Sequence, residues 1–199
     1  MKVVRLLTEG YTDEIGIIEL LKGAGMEEYV ELRSIGKKSK LIKELPTYCE
    51  RFYTANPDKH LFVLCDLFPL NKPEEMPHSN EGELRQILVT QVNPQYNQYF
   101  HPHVAKWELE AWMFADVNTI EEKLKIDLGD YHSYNPEKID DRTPPSRVLE
   151  RACSQKRKHY SKIENNPSIF RKLSIDKVRL ECQFFRIFWD DLLETINDC

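Results

Sequence analysis

Two carboxylates stand where this sequence can do chemistry. Glu9 directly follows the apolar run Val3-Val4-Arg5-Leu6-Leu7-Thr8 and opens the segment Glu9-Gly10-Tyr11-Thr12-Asp13-Glu14. Asp66 directly follows Leu61-Phe62-Val63-Leu64-Cys65. A short apolar run reads as a buried strand, Gly10 as a tight turn, and Thr12 with Asp13 and Glu14 as a helix start. Open α/β sheets place their ligands beyond the carboxyl ends of strands. A third acidic element, Glu108 with Glu110, follows another strand-like run. Hard divalent cations prefer carboxylate oxygens and keep waters for a substrate's phosphates. An ion held this way can generate a nucleophile, clamp a phosphate and stabilise a leaving oxygen. Asp13 lies one helical turn beyond Glu9, so both can reach one ion. The plain alternative for Asp13 and Glu14 is helix-dipole stabilisation in a first turn. Glu108 and Glu110 differ by two positions and point to opposite sides if the segment is extended.

The elements that must position these acids are legible along the chain. Residues 2–8 predict a first strand and 12–24 a helix with Ile15, Ile17, Ile18, Leu20 and Leu21 on a broad apolar face, ended by Gly23 and Gly25. Residues 29–35 alternate as a second strand, and Gly36-Lys37-Lys38-Ser39-Lys40 forms a basic turn. A second helix follows over 39–54, weakened by Pro46, and a third strand over 60–66. Strand, helix, strand, helix, strand predicts a parallel sheet with right-handed crossovers. Residues 67–82, with Pro69, Pro73, Pro77 and Gly82, read as a loop beside the acids, and 82–92 as a helix. Residues 99–106 read as a fourth strand, at an edge because of Pro102. The run from Trp107 to Asp116 turns into a helix, and Asn118 is a candidate cap for another through Ile126. Residues 127–145 are polar and Pro-rich and suggest a boundary, which divides the chain into residues 1–126 and a helical region over 127–199. The aromatic-rich run from Phe184 to Ile196 predicts a strongly apolar final helix.

Composition narrows the class. The chain has 199 residues, 41% hydrophobic, enough for one domain with a core and a helical appendage. Its net charge of -5 argues against a generally basic nucleic-acid binder and leaves room for a local basic patch or bridging metal ions. The five cysteines are odd in number and form no Cys-x-x-Cys pair, which disfavours a disulfide framework or zinc site. His101 and His103 flank Pro102 without an evident third ligand and read as surface or edge histidines. Arg5 interrupts the first apolar run, so no signal peptide is expected. No stretch approaches the ~18–20 apolar residues that cross a bilayer. The expectation is a cytoplasmic protein without membrane contact.

The strand–Glu-Gly-x-x-Asp–helix start, the strand ending in Asp66 and the third acidic element resemble a TOPRIM domain, the metal-binding fold of topoisomerases, primases and overcoming-lysogenization-defect (OLD) nucleases. More narrowly, the chain resembles a small TOPRIM-like family, domain of unknown function 4276. The resemblance rests on Glu9-Gly10-x-Thr12-Asp13, Glu110-Ala111-Trp112-x-x-Ala115-Asp116, Asn135-Pro136-Glu137, Pro145-Ser146 and Tyr160-x-Lys162. It covers nearly the whole chain. It implies an α/β, TOPRIM-like, mostly parallel sheet flanked by helices, with a helical C-terminal region packed on it. One departure stands out. TOPRIM domains carry Asp-x-Asp at the second acidic motif, and here Asp66-Leu67-Phe68 puts an aromatic residue in the second position.

The resemblance implies a magnesium- or manganese-dependent phosphoryl-transfer enzyme, a nuclease on DNA or RNA. Glu9 is expected as metal ligand or general acid/base, and Asp66 and Glu110 as metal ligands. Asp13 supports them, with Glu108 as alternate to Glu110. Candidate phosphate contacts are Lys37, Lys38 and Lys40 in the basic turn, and Arg147 and Lys162 in the tail. Family members often sit beside ATPase genes in phage-defence-like cassettes, which implies an ATPase partner; the aromatic final helix suggests a homodimer surface. The alternative from another class is a non-catalytic binding or effector subunit on the same scaffold, favoured by Phe68 and the acidic charge. A small-molecule phosphate binder lacks support, because no Gly-rich phosphate loop is present.

Overall fold

The apolar runs become four short parallel strands. The computed structural model describes residues 2–70, 78–138 and 143–198. Strands β1 (Val4–Thr8), β2 (Val30–Ser34), β3 (His60–Asp66) and β4 (Phe100–Ala105) pair in the order β2-β1-β3-β4. Helix α1 (Tyr11–Gly23) joins β1 to β2, and α2 (Lys38–Ala55) joins β2 to β3. The strand order therefore reverses between β1 and β3. β4 lies at the sheet edge as Pro102 predicts; there a residue without an N–H removes no ladder bond on the open side.

Alternation sorts the strands onto two cores. Val4 and Leu6 of β1, Phe62 and Leu64 of β3, and Ala105 of β4 enter one core with α1 and the C-terminal helices. Leu7, Leu61, Val63, Cys65 and Val104 enter the other, with apolar residues of α2 and of α3 (Glu81–Thr90). With a period of two, Asp66 continues the Phe62–Leu64 face, the side covered by the tail.

The remaining elements are α4 (Glu110–Met113), α5 (Val117–Leu124), α6 (Pro145–Gln155), α7 (Lys162–Phe170), α8 (Ile175–Glu181) and α9 (Gln183–Asp198). Several sequence expectations shift. Asn118 lies inside α5, and Asp116 is its N-cap residue, receiving the Thr119 hydroxyl at 2.9 Å. Pro46 sits within α2 without ending it. The polar stretch 127–145 holds two 3-10 turns, Gly129–Ser133 and Pro136–Lys138, and residues 139–142 lie outside the described residues. In the loop 67–82, residues 71–77 lie outside them too. Glu137 accepts from the backbone N–H groups of Gln183 and Phe184 at 2.9 and 2.7 Å, which satisfies the open start of α9.

The tail is held on α1 by close backbone approach. A Cβ at Gly23 would lie 2.5 Å from the Arg171 carbonyl oxygen, and one at Gly16 would lie 2.9 Å from the Phe170 ring. Trp112 is wholly buried, against Phe185 and Phe188 of α9. Cys49, Cys65, Cys153 and Cys182 are free and buried. Among the described residues, no helix is long and apolar enough to cross a membrane.

Candidate functional site

The carboxyl ends of β1 and β3 are where this strand order leaves a crevice, because the connections leave in opposite directions. Glu9 is the residue after β1, and its Oε1 accepts the backbone N–H of Asp66 at 3.0 Å. One hydrogen bond thus ties the first acid to the backbone that carries the second. Asp13 folds back from the first turn of α1 to accept the Gly10 N–H at 3.0 Å. It is a helix-start acid, as the plain reading expects, and it also faces the Asp66 carboxyl electrostatically.

Glu108 and Glu110 arrive by a backbone reversal. Trp107 has φ of 67°, a left-handed conformation that non-glycine residues rarely hold. Its carbonyl accepts the Phe68 N–H at 2.8 Å, and its indole N–H donates to the Glu137 carbonyl at 3.3 Å. This turn aims the chain after β4 back over the end of β3. Glu110 is 1% exposed. Its oxygens receive Lys162 Nζ at 2.9 Å and Asn166 Nδ2 at 2.8 Å, and the Tyr160 hydroxyl donates to Asn166 Oδ1 at 2.5 Å. Glu108 accepts the Ser146 N–H at 3.1 Å and Lys162 Nζ at 3.4 Å.

The charges are heavily perturbed. Burial holds the Asp66 carboxyl well above the usual range, and repulsion from Asp13 and Glu9 adds to it. Burial also raises Asp13 and Glu110; the Gly10 N–H and Lys162, respectively, offset part of the rise. For Lys162, burial works against its charge, yet Glu110, Glu108 and Asp66 hold the ammonium well above the ordinary lysine value. A buried carboxylate raised by neighbouring like charges marks a surplus of negative charge that a cation would relieve.

The sequence candidates thus divide. Glu9, Asp13, Asp66, Glu108 and Glu110 gather at one end of the sheet, with Lys162 among them. Lys37 and Lys40 are exposed. Lys38 is not: it is 1% exposed, and its ammonium donates to the Leu67 and Phe68 carbonyls at 3.0 and 3.1 Å. Those bonds hold the loop after Asp66, so the expectation of a phosphate contact at Lys38 is corrected. Arg147 is exposed and paired with Glu150 at 2.6 Å. Asn166 was not foreseen; its place four residues after Lys162, hence on the same helix face, was the available signal. His101 and His103 lie on the edge strand β4, as expected, but face the tail rather than solvent. Both bond to Asp191 of α9, at 3.0 and 2.8 Å, and His60 Nδ1 lies 2.8 Å from His101 Nε2.

The oxygen-rich donor set suits a hard divalent cation. Among the described residues, no three His, Cys, Asp or Glu side chains already converge as a formed metal centre. Glu108 and Glu110 are turned instead to Lys162.

Comparison with known proteins places the chain in context. A family model described as a domain of unknown function, DUF4276, matches residues 8–193. No curated protein matches the chain. Among solved structures, it is similar to the C-terminal region of the OLD protein from Xanthomonas campestris pv. campestris. The platinum-phased structure gives a TM-score of 0.51 at 16% identity, covering 99% of this chain and 93% of the other. The mercury-phased structure gives 0.50 at 15% identity, covering 100% and 96%. At this identity the likeness is one of fold.

Proposed function

The chain belongs to the DUF4276 family, and we propose that it is a metal-dependent phosphoryl-transfer enzyme of TOPRIM type, a nuclease acting on DNA or RNA. The observation that carries this reading is the gathering of Glu9, Asp13 and Asp66 at the β1/β3 crevice, where burial and like charge raise the Asp66 carboxyl well above its ordinary range. Magnesium or manganese would be held by Glu9 and Asp66, with Asp13 in support. When bound, such an ion supplies an activated water and neutralises charge on a phosphate.

The chain's own groups do the rest. Asp66's backbone N–H fixes the orientation of Glu9, which serves as ligand or as the acid/base group. Lys162 stays cationic in a buried setting and is placed to offset negative charge growing on a phosphate. Glu110, steadied by Asn166 and Tyr160, holds Lys162 in position. Glu108, bonded to Ser146 N, steadies the same ammonium. Work beside an ATPase in a defence system, in the cytoplasm and as a homodimer, belongs to the same proposal.

The test is cleavage of labelled DNA and RNA with magnesium or manganese. Glu9→Gln and Asp66→Asn should each lower the rate about 100-fold or more; equal rates in all three proteins would sink the assignment.

A second reading is a non-catalytic effector subunit on this scaffold. Phe68 replaces an acid, and Lys162 already neutralises Glu108 and Glu110. Co-purification with an ATPase, and no heat on calorimetric titration with manganese, would favour it.

A further inference from the structure

The outer side of α2 and the edge of the sheet enclose a groove of about 710 Å³ whose walls are basic in an otherwise acidic protein. Arg5, Arg33, Lys43 and Arg51 line it, with Glu44 as the lining acid. Arg5, Arg33 and Lys59 all share a single carboxylate, Glu31, at 2.5, 3.2 and 3.7 Å. Three cations on one anion leave positive charge in excess there. Glu44 reaches Lys40 only at 3.9 Å. Lys43 and Arg51 are exposed.

The groove also has an aromatic wall. Tyr48 and Phe52 stack with centroids 6.4 Å apart, and Arg5 lies over Phe52 at 4.9 Å while donating to the Tyr48 hydroxyl at 3.2 Å. Partly exposed Tyr48 offers a face on which a base can stack.

Position relates the groove to the acids. The turn into α2 is fastened beside Glu9, whose carbonyl accepts the Gly36 N–H at 2.6 Å, and Lys38 anchors α2 to the loop after Asp66. Lys40, Lys43, Thr47 and Arg51 recur about once per helical turn on α2 and lead away from that end. From Lys43 to Arg51 the axis rises about 12 Å, which matches about three stacked nucleotides at roughly 3.4 Å each.

The geometry points to this groove as a binding track for the phosphate backbone of single-stranded nucleic acid, feeding the strand ends that carry Glu9 and Asp66. The proposal rests on the nuclease reading for its substrate class, and its test does not depend on cleavage. A fluorescein-labelled 12-nucleotide DNA strand and the corresponding duplex are titrated by anisotropy in EDTA across 50–200 mM salt. The variant Lys43→Glu/Arg51→Glu should weaken strand binding at least tenfold. The slope of log affinity against log salt should flatten by about 1.4, since each lost phosphate contact removes about 0.7. Lys156→Glu/Arg157→Glu, an exposed basic pair just after α6, should bind as wild type does. Thermal melts confirm that each variant is folded. Unchanged affinity in Lys43→Glu/Arg51→Glu, loss confined to Lys156→Glu/Arg157→Glu, or tighter binding of duplex than of single strand would overturn the proposal. The cleavage assay on Glu9→Gln judges the nuclease reading separately.

Discussion

Asp66 is pressed among like charges at the end of a buried strand. Burial first, then Asp13 and Glu9, hold its carboxyl well above an ordinary aspartate. Its folded value therefore lies above its unfolded value of about 3.9. The stability it contributes is fully present below about pH 3.9 and is lost as pH rises through the folded value. At pH 7, without divalent cation, the native state must either hold the Asp66 proton or bear like-charge repulsion, a cost that the unfolded chain lacks. Asp66→Asn keeps the shape and removes the charge, so it should raise Tm at pH 7 by about 2–4 °C, corresponding to about 1 kcal/mol at this chain length. The gain should vanish near pH 4. Excess manganese should raise the wild-type Tm and leave the variant's unchanged. Differential scanning fluorimetry at both pH values, with EDTA or manganese, checks all three. A variant less stable than wild type at pH 7 in EDTA would contradict the charge argument. The cluster was partly legible at this scale. Strand ends, a glycine turn and a first-turn acid are local signals, so Glu9, Asp13 and Asp66 could be named from their neighbours. The partners of Glu110 could not. Lys162 and Asn166 lie more than 50 positions away, and nothing local says which lysine of a charged tail turns inward.

Among elements, the contact of α7 with α1 decides where Lys162 and Asn166 sit. Gly23 permits it, because its missing Cβ leaves room for the Arg171 carbonyl. Two effects oppose one another in Gly23→Ala. Helix propensity favours alanine by about 0.8–1.0 kcal/mol. A methyl placed 2.5 Å from a backbone oxygen forces the two helices apart, and such overpacking costs about 1–3 kcal/mol. The clash should win, because a backbone carbonyl cannot rotate away as a flexible side-chain end can. Urea denaturation should show a net loss of up to about 2 kcal/mol. A gain in stability would show that α7 packs less closely than the structure has it. From sequence, Gly23 read as a helix stop, a local role. Its role as a contact surface depends on a helix nearly 150 positions later. The same limit explains Asn118. Cap preference alone favours it, yet Asp116 begins α5 because its carboxylate is also bonded to Ser174 N and Lys177 Nζ across the fold.

Across the whole molecule, a half-buried polar network beside the aromatic core fastens the tail to the sheet. Asp191 of α9 takes hydrogen bonds from His101 and His103 of β4, and His101 meets His60 of β3. Burial lowers the His103 value although Asp191 raises it, and burial followed by His101 lowers His60. Arg85 also opposes charge on His103, while Asp198 favours it on His60. Both histidines therefore prefer neutrality in the folded chain. Below the unfolded histidine value of about 6.5, the unfolded chain takes up protons that the native state refuses. This stability is present above about pH 6.5 and lost as pH falls. Asp191 is held low by its histidine partners against the effect of burial, so its own contribution persists to strongly acid pH. His103→Gln should lower Tm at pH 7.5 and shrink the further fall between pH 7.5 and 5.5. A fall as steep as in wild type would place the titration elsewhere.

The parallel sheet, the edge position of β4 and the acids at two strand ends were determined by the sequence itself. Each follows from interactions within a few residues: alternation, a glycine turn, a proline without an N–H. Tertiary structure alone decided what surrounds those acids. It turned Trp107 into a left-handed conformation, brought Lys162 and Asn166 onto Glu110, buried Lys38 under the loop after Asp66, and joined His101 and His103 to Asp191. These pairings close long loops of chain, and in each the partner's attraction and hydrogen bonds offset the cost of burying a charge. That free energy exists only once the two cores have formed on either face of the sheet.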